Sequence, residues 1–198
     1  ATLAVRTVTV SGTVTDDNLD TVTVIGVPVS VSAGTFTTSI ELPEGPSIIT
    51  AQASDQAGNS AQAQVSVNVE TTGPEVTITS PVNSALLGDA QVTVTGTAID
   101  TDMDTVTVNG VSATLTGADF SATITLPADG DNQISVVAKD LVGNETTETI
   151  NVTLDTTPPA IQITSPADGA ITNETQLLVL GTASDSRLES VTVNGQAV

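Results

Sequence analysis

The stretch from Gln91 to Val111, QVTVTGTAIDTDMDTVTVNGV, occurs three times in this chain. The first copy is Thr7–Val27, TVTVSGTVTDDNLDTVTVIGV, and the third is Gln176–Gln196, QLLVLGTASDSRLESVTVNGQ. Each copy holds an alternating apolar segment, a glycine, an acidic loop and a second alternating segment. Gly12, Gly96 and Gly181 mark the register, 84 and then 85 residues apart. A fixed period of that size, with whole segments and loops repeating, means tandem domains of one kind.

The alternation dictates strands. Val8 and Val10 face one way and Thr7, Thr9 and Ser11 the other, the period-two pattern of a half-buried strand. Thr and Val dominate throughout, and both suit a pleated, half-buried surface. Within residues 74–155 the pattern predicts seven short strands. They are carried by Val76 and Ile78; Val92 and Val94; Val106 and Val108; Ala113 and Leu115; Phe120 to Leu126; Ile134 to Ala138; and Ile150 to Leu154. Seven short strands with turns between them predict an antiparallel β-sandwich. Asn109-Gly110 and Asn194-Gly195 are two-residue hairpin signals, because both positions tolerate a positive φ; Ile25-Gly26 stands in their place in the first copy.

The expected domains are 1–70, which lacks the counterpart of Pro74–Ser84, then 74–155, complete, then 159–198, the N-terminal part of a third. In the first, Ala63, Val65, Val67 and Val69 are expected to point inward. In the third, Ile161, Ile163, Leu177, Val179, Val191 and Val193 carry the expected strands, with Leu178 and Leu180 on the solvent side. The linkers Glu70–Pro74 and Asp155–Pro159 are short and stiffened by proline. Either the chain is a window on a longer repetitive protein, the favoured expectation, or neighbouring subunits complete the terminal domains by strand addition.

Charge excludes several function classes. Three Lys and Arg stand against 23 Asp and Glu, a formal net charge of −20. Nucleic acid needs a basic footprint and is excluded as a partner. An anionic membrane surface is disfavoured for the same reason, and no apolar run reaches membrane-spanning length. Such a field favours solubility and cations. The chain has no His and no Cys, so the usual bases, nucleophiles and soft metal ligands are missing. With no Trp or Tyr, a sugar-stacking platform is missing too. The expectation is a non-catalytic protein.

The order Pro74, Ile78-Thr79-Ser80-Pro81, Gly96-Thr97-Ala98 with Asp100, Val106–Gly110, Leu126-Pro127, Asp140 with Gly143-Asn144, and Asp155–Pro159 resembles the bacterial immunoglobulin-like repeats found in tandem in large surface adhesins and other secreted proteins. It is also similar to the immunoglobulin-like module attached to some secreted polysaccharide-degrading enzymes. The resemblance implies an all-β chain of tandem immunoglobulin-like sandwiches in an extended array, on the bacterial cell surface or outside the cell.

The acidic loops are the one chemical feature. Asp100, Asp102 and Asp104 alternate between the second and third strands of the middle repeat; Asp16, Asn18 and Asp20 match them in the first. In a seven-strand sandwich the loops after strands two and six share the end at which the chain enters. That places Asp140 and Asn144 near Asp100–Asp104, and Asp55 and Asn59 near Asp16–Asp20. Oxygen-only ligands fit a hard cation such as Ca²⁺. Asp-x-x-Gly-Asn is equally good turn chemistry, and the other acids serve equally as solvated charge. Both readings stand. In the third repeat Arg187 and Glu189 replace two of the acids, which weakens any cation site there.

The reading that fits best is a structural spacer in a bacterial adhesin, stalk or filament, with calcium at the junctions as its expected cofactor. Its expected partners are the neighbouring repeats and, in a filament, other copies. The alternatives are a carbohydrate-binding accessory module and a self-associating filament subunit.

Overall fold

A computed structural model describes all 198 residues, and every regular element in it is a strand. Repeat 1 contains β1 (Thr2–Leu3), β2 (Thr7–Thr13), β3 (Leu19–Val24), β4 (Val27–Pro28), β5 (Val31–Ser32), β6 (Thr35–Glu41), β7 (Gly45–Asp55) and β8 (Ser60–Val69). Repeat 2 contains β9 (Glu75–Ser80), β10 (Leu86–Leu87), β11 (Gln91–Ile99), β12 (Met103–Val108), β13 (Val111–Ser112), β14 (Thr114–Thr116), β15 (Asp119–Thr125), β16 (Gly130–Asp140) and β17 (Glu145–Leu154). Repeat 3 contains β18 (Ala160–Ser165), β19 (Leu180–Ser184), β20 (Thr192–Val193) and β21 (Gln196–Ala197).

Repeat 2 is a sandwich of two sheets, ordered β10-β17-β16-β12-β13 and β14-β15-β11-β9. Pairing is antiparallel except where β10 runs parallel to β17. The register puts the alternating apolar residues on the inner faces: Val92 opposite Ile124 and Val94 opposite Ala122 in one sheet, Val106 opposite Ala138 and Val108 opposite Val136 in the other. All of these are buried, as are Phe120, Ile134 and Val152. Gly96 lets this core close. A Cβ there would lie 2.0 Å from the Thr77 carbonyl oxygen and 2.7 Å from the Phe120 ring, so any side chain would push β9 off its neighbour.

Two details differ from the seven-strand expectation. The chain after β9 crosses to the opposite sheet and adds β10 there. The fourth expected strand is split, with β13 pairing β12 in one sheet and β14 pairing β15 in the other. In both places the chain changes sheets, and an alternating pattern cannot signal such a crossing because the inward residues keep facing one core.

Repeat 1 copies this plan with sheets β1-β8-β7-β3-β4 and β2-β6-β5. No strand occupies the place that β9 takes beside β11. An apolar cleft of about 700 Å³, lined by Val8, Val10, Phe36, Ile49, Val65 and Val67 among others, lies there instead. The expected inward set of β8 is corrected accordingly. Val69 is buried, but Ala63 and Val65 are exposed, because the inner face of β8 is uncovered at that end. In repeat 3, Ile161 and Ile163 are exposed for want of a facing sheet, and Leu177 and Val179 lie outside any strand.

Candidate functional site

Some of the acidic groups build turns within a repeat, and others act where one repeat meets the next. Asp16, Asp100 and Asp185 hold the same position in the three copies and do the same thing. Each turns its Oδ1 onto the N–H two residues on: Asn18 at 2.7 Å, Asp102 at 2.8 Å and Arg187 at 2.7 Å. This is the Asx turn that lets a short polar side chain replace a strand bond at a bend. In repeats 1 and 2 the loop then offers a carbonyl to the turn between the last two strands. Gln56 N–H donates to the Asn18 carbonyl at 3.0 Å, and Leu141 N–H to the Asp102 carbonyl at 2.9 Å.

The turn between β16 and β17 is built on Asp140, which is 1% exposed. Its Oδ1 accepts from the N–H groups of Val142 (2.9 Å), Gly143 (2.6 Å) and Asn144 (2.8 Å). Asn144 Nδ2 returns to Asp140 Oδ2 at 2.8 Å. Asp55 and Asn59 repeat the arrangement between β7 and β8, on the surface of repeat 1. The Asn59 bonds hold the Asp55 carboxyl below its ordinary pKa. A buried carboxylate is tolerated at position 140 because both of its oxygens are occupied.

At the first joint this turn grips the linker. Asn144 Nδ2 also donates to the Glu70 carboxylate at 2.6 Å and to the Glu70 carbonyl at 3.1 Å. Two carboxylates therefore meet at one amide. Burial, with the proximity of Asp140, pushes the Glu70 carboxyl up, against the lowering bond from Thr72 N–H. Burial opposes the charge on Asp140 as well, yet the bonds from the Asn144 side chain and from the Asn144 and Gly143 N–H groups outweigh it and hold Asp140 below its ordinary value.

The preceding repeat holds the same linker from its other side. Glu44 accepts from Thr71 N–H at 2.9 Å and from the Thr71 hydroxyl at 2.8 Å, with Arg6 Nε at 3.8 Å. At the second joint Asp129 accepts from Thr156 N–H (3.1 Å), the Thr156 hydroxyl (2.9 Å) and the Thr157 hydroxyl (3.0 Å). The threonine bonds depress both carboxyl pKa values, the hydroxyl bond contributing most in each. From repeat 3, Ser186 Oγ lies 3.4 Å and Arg187 Nε 4.0 Å from Asp155 Oδ2.

The structure thus brings Asp140 and Asn144 to the joint, and the Asp102 carbonyl beside them. Asp104 and Asp20 are exposed on the surface. No group of three acidic side chains in the chain is arranged to hold a metal ion. Three joint residues were not expected from the sequence: Glu44, Asp129 and Arg187. A signal existed for two of them, since an acid precedes a glycine after Leu-Pro in repeats 1 and 2 alike. Arg187, read as a lost acid, instead faces the linker carboxylate of Asp155.

Comparison with known proteins agrees with this architecture. Bacillopeptidase F of Bacillus subtilis (strain 168) is 33% identical over 136 residues, which is 68% of this chain and 9% of that protein. Halomucin of Haloquadratum walsbyi is 34% identical over 113 residues, 54% of this chain and 1% of that protein. The chain spans less than a tenth of either relative. An I-band fragment of titin has a TM-score of 0.53 at 9% identity, covering 98% of this chain and 81% of that one, a likeness of fold alone. The fold is tandem immunoglobulin-like sandwiches. The match to the family described as glucodextranase, domain B, runs through residues 2–71, 74–156 and 159–198, so the chain belongs to that family in all three of its repeats.

Proposed function

We propose that the chain is an extracellular spacer, a run of immunoglobulin-like beads in a bacterial surface or secreted protein that holds another domain at a distance. The observation that carries this reading is the double grip on the linkers. Glu44 and Asn144 hold the first from its two sides, and Asp129 and Arg187 hold the second. A spacer needs joints that resist bending, and short linkers held from both sides supply them. The resemblance to repeats of adhesins and secreted proteins supports a place outside the cell. Small-angle scattering on the chain tests the reading directly. A longest dimension matching three beads in line is expected, and a compact, folded-back particle would sink it.

Calcium at the first joint is part of the proposal. The donor set there is Glu70 and Asp140, from opposite sides of the joint, with the Glu70 carbonyl and the amide of Asn144, whose oxygen would face a cation after a flip. These are hard oxygen donors, and waters would complete the six to eight that calcium takes. Asp100, Asp102 and Asp104 contribute an acidic surround rather than a cage. Scattering with calcium and then with chelator tests this, alongside Glu70→Gln and Asp102→Asn with Asp104→Asn. Unchanged dimensions, melting and protease resistance in every arm would remove calcium from the account.

A second reading, an accessory module of a polysaccharide-degrading enzyme, is favoured by the family description. A spacer within such an enzyme satisfies both readings. Direct sugar binding separates them, and retention of the chain on an insoluble glucan would favour a carbohydrate-binding role.

A further inference from the structure

We infer that Glu44 and Asp129 are matched positioning residues, each fastening the linker that leaves its own repeat and so setting the direction in which the next repeat begins. The two loops differ in length. Repeat 1 reads Leu42-Pro43-Glu44-Gly45, and repeat 2 reads Leu126-Pro127-Ala128-Asp129-Gly130, one residue longer. The ends correspond: Leu42 and Leu126 are both buried, and Gly45 and Gly130 both carry a positive φ, 90° and 103°. The shorter loop carries the longer acid, and the longer loop the shorter acid. Both carboxylates arrive at the same two groups, the N–H and the hydroxyl of the matching threonine, Thr71 or Thr156. Ala128 accounts for the change of the repeat period from 84 to 85 residues, and the loss of one methylene from the acid compensates for it.

The register explains why this loop does the fastening. Gly45 pairs with Val69 and Gly130 with Leu154, so each loop opens β7 or β16 beside the end of the last strand of its repeat. The gripped threonine lies two residues past that pairing in both repeats. Its N–H is the first that the sheet no longer satisfies, and a carboxylate that accepts two bonds from one residue fixes orientation as well as position. The linker up to the threonine is thus fastened to the preceding repeat, and at the first joint Asn144 of repeat 2 reaches back to that fastened segment at Glu70. This holds whatever the repeats carry.

Amide exchange on the full chain tests it. Glu44→Ala should speed exchange at Thr71 N–H, and Asp129→Ala at Thr156 N–H, by roughly tenfold to a hundredfold, with core amides such as that of Val136 unchanged. Glu44→Asp alone should lose the protection too, because the shorter acid falls short across the shorter loop. Glu44→Asp with one alanine inserted after Pro43 copies the longer loop and should restore it. Residual dipolar couplings should show the angle between repeats 1 and 2 spreading in Glu44→Ala and narrowing again in the restored variant. Unchanged Thr71 exchange in Glu44→Ala, equal protection in the two aspartate variants, or an unaltered spread of angles would each overturn the inference. Scattering dimensions of the unmodified chain judge the spacer reading separately, so the two can fail independently.

Discussion

Ile25→Asn should stabilise repeat 1. Ile25 and Gly26 form the hairpin turn between β3 and β4 with φ of 45° and 79°, as Asn109-Gly110 does with 47° and 80°. A left-handed conformation costs an L-residue about 1–2 kcal/mol, and a β-branched side chain is among the worst placed to adopt it. Asparagine relieves about 1 kcal/mol of that strain. A hydrogen bond comes with it. In repeat 2 the Asn109 Oδ1 accepts from Ser135 N–H at 2.8 Å. Thr50 is the counterpart of Ser135, since Ile25 N–H donates to the Thr50 carbonyl as Asn109 N–H does to that of Ser135. Thr50 N–H faces a side chain that offers no acceptor, and the new bond adds about 1 kcal/mol. Ile25 is already 42% exposed, so its lost apolar contact subtracts no more than about 1 kcal/mol. The net gain is about 1 kcal/mol, or a rise of roughly 4–8 °C in the melting of a domain this size. Calorimetry, with the repeat 1 transition assigned by amide signals, measures it. A melting temperature that stays level or falls would show that the strain or the missing bond is not there.

Three further predictions follow from single contacts. Gly96→Ala sets a Cβ against the backbone of β9 and should cost repeat 2 about 2–3 kcal/mol, whereas Gly12→Ala meets only the Phe36 ring and should cost less; denaturant titration of each variant ranks them. Phe120→Ala removes the largest fully buried side chain and should cost about 3–5 kcal/mol, so an unchanged melting curve would place the ring outside the core. Acid should undo the linker grips. The folded carboxyls of Glu44 and Asp129 lie below their ordinary 4.5 and 3.8, so their contribution is complete above those values and is lost as pH falls through the depressed ones. Protection factors at Thr71 and Thr156 should fall over that acid range, Glu44→Gln should flatten the response at Thr71, and rising protection on acidification would show the sign to be wrong.

Much of the core was legible because burial in a sandwich follows a period of two. Val92, Val94, Val106, Val108, Phe120, Ile124, Val136 and Val152 are all buried, as the alternation requires. The turn acids were legible too, because an Asx turn is satisfied by groups within a few residues. Asp16, Asp100 and Asp140 each bond an N–H two residues on, and that closeness in sequence is what makes a pattern visible.

The sequence by itself determined the repeat, its register, the long strands of the complete repeat and the acidic character of the loops, because each rests on local periodicity and composition. Only the tertiary structure decided what the acids do. Glu44 and Thr71 are 27 residues apart, and Glu70 and Asn144 are 74 apart. Whether a carboxylate becomes a linker grip, a turn or solvated charge depends on which distant backbone groups the sheets leave unpaired beside it. The same holds for Val65, inward by pattern and exposed in fact. Alternation tells a residue which face of its sheet it takes, and only the packing of another strand turns that face into a core.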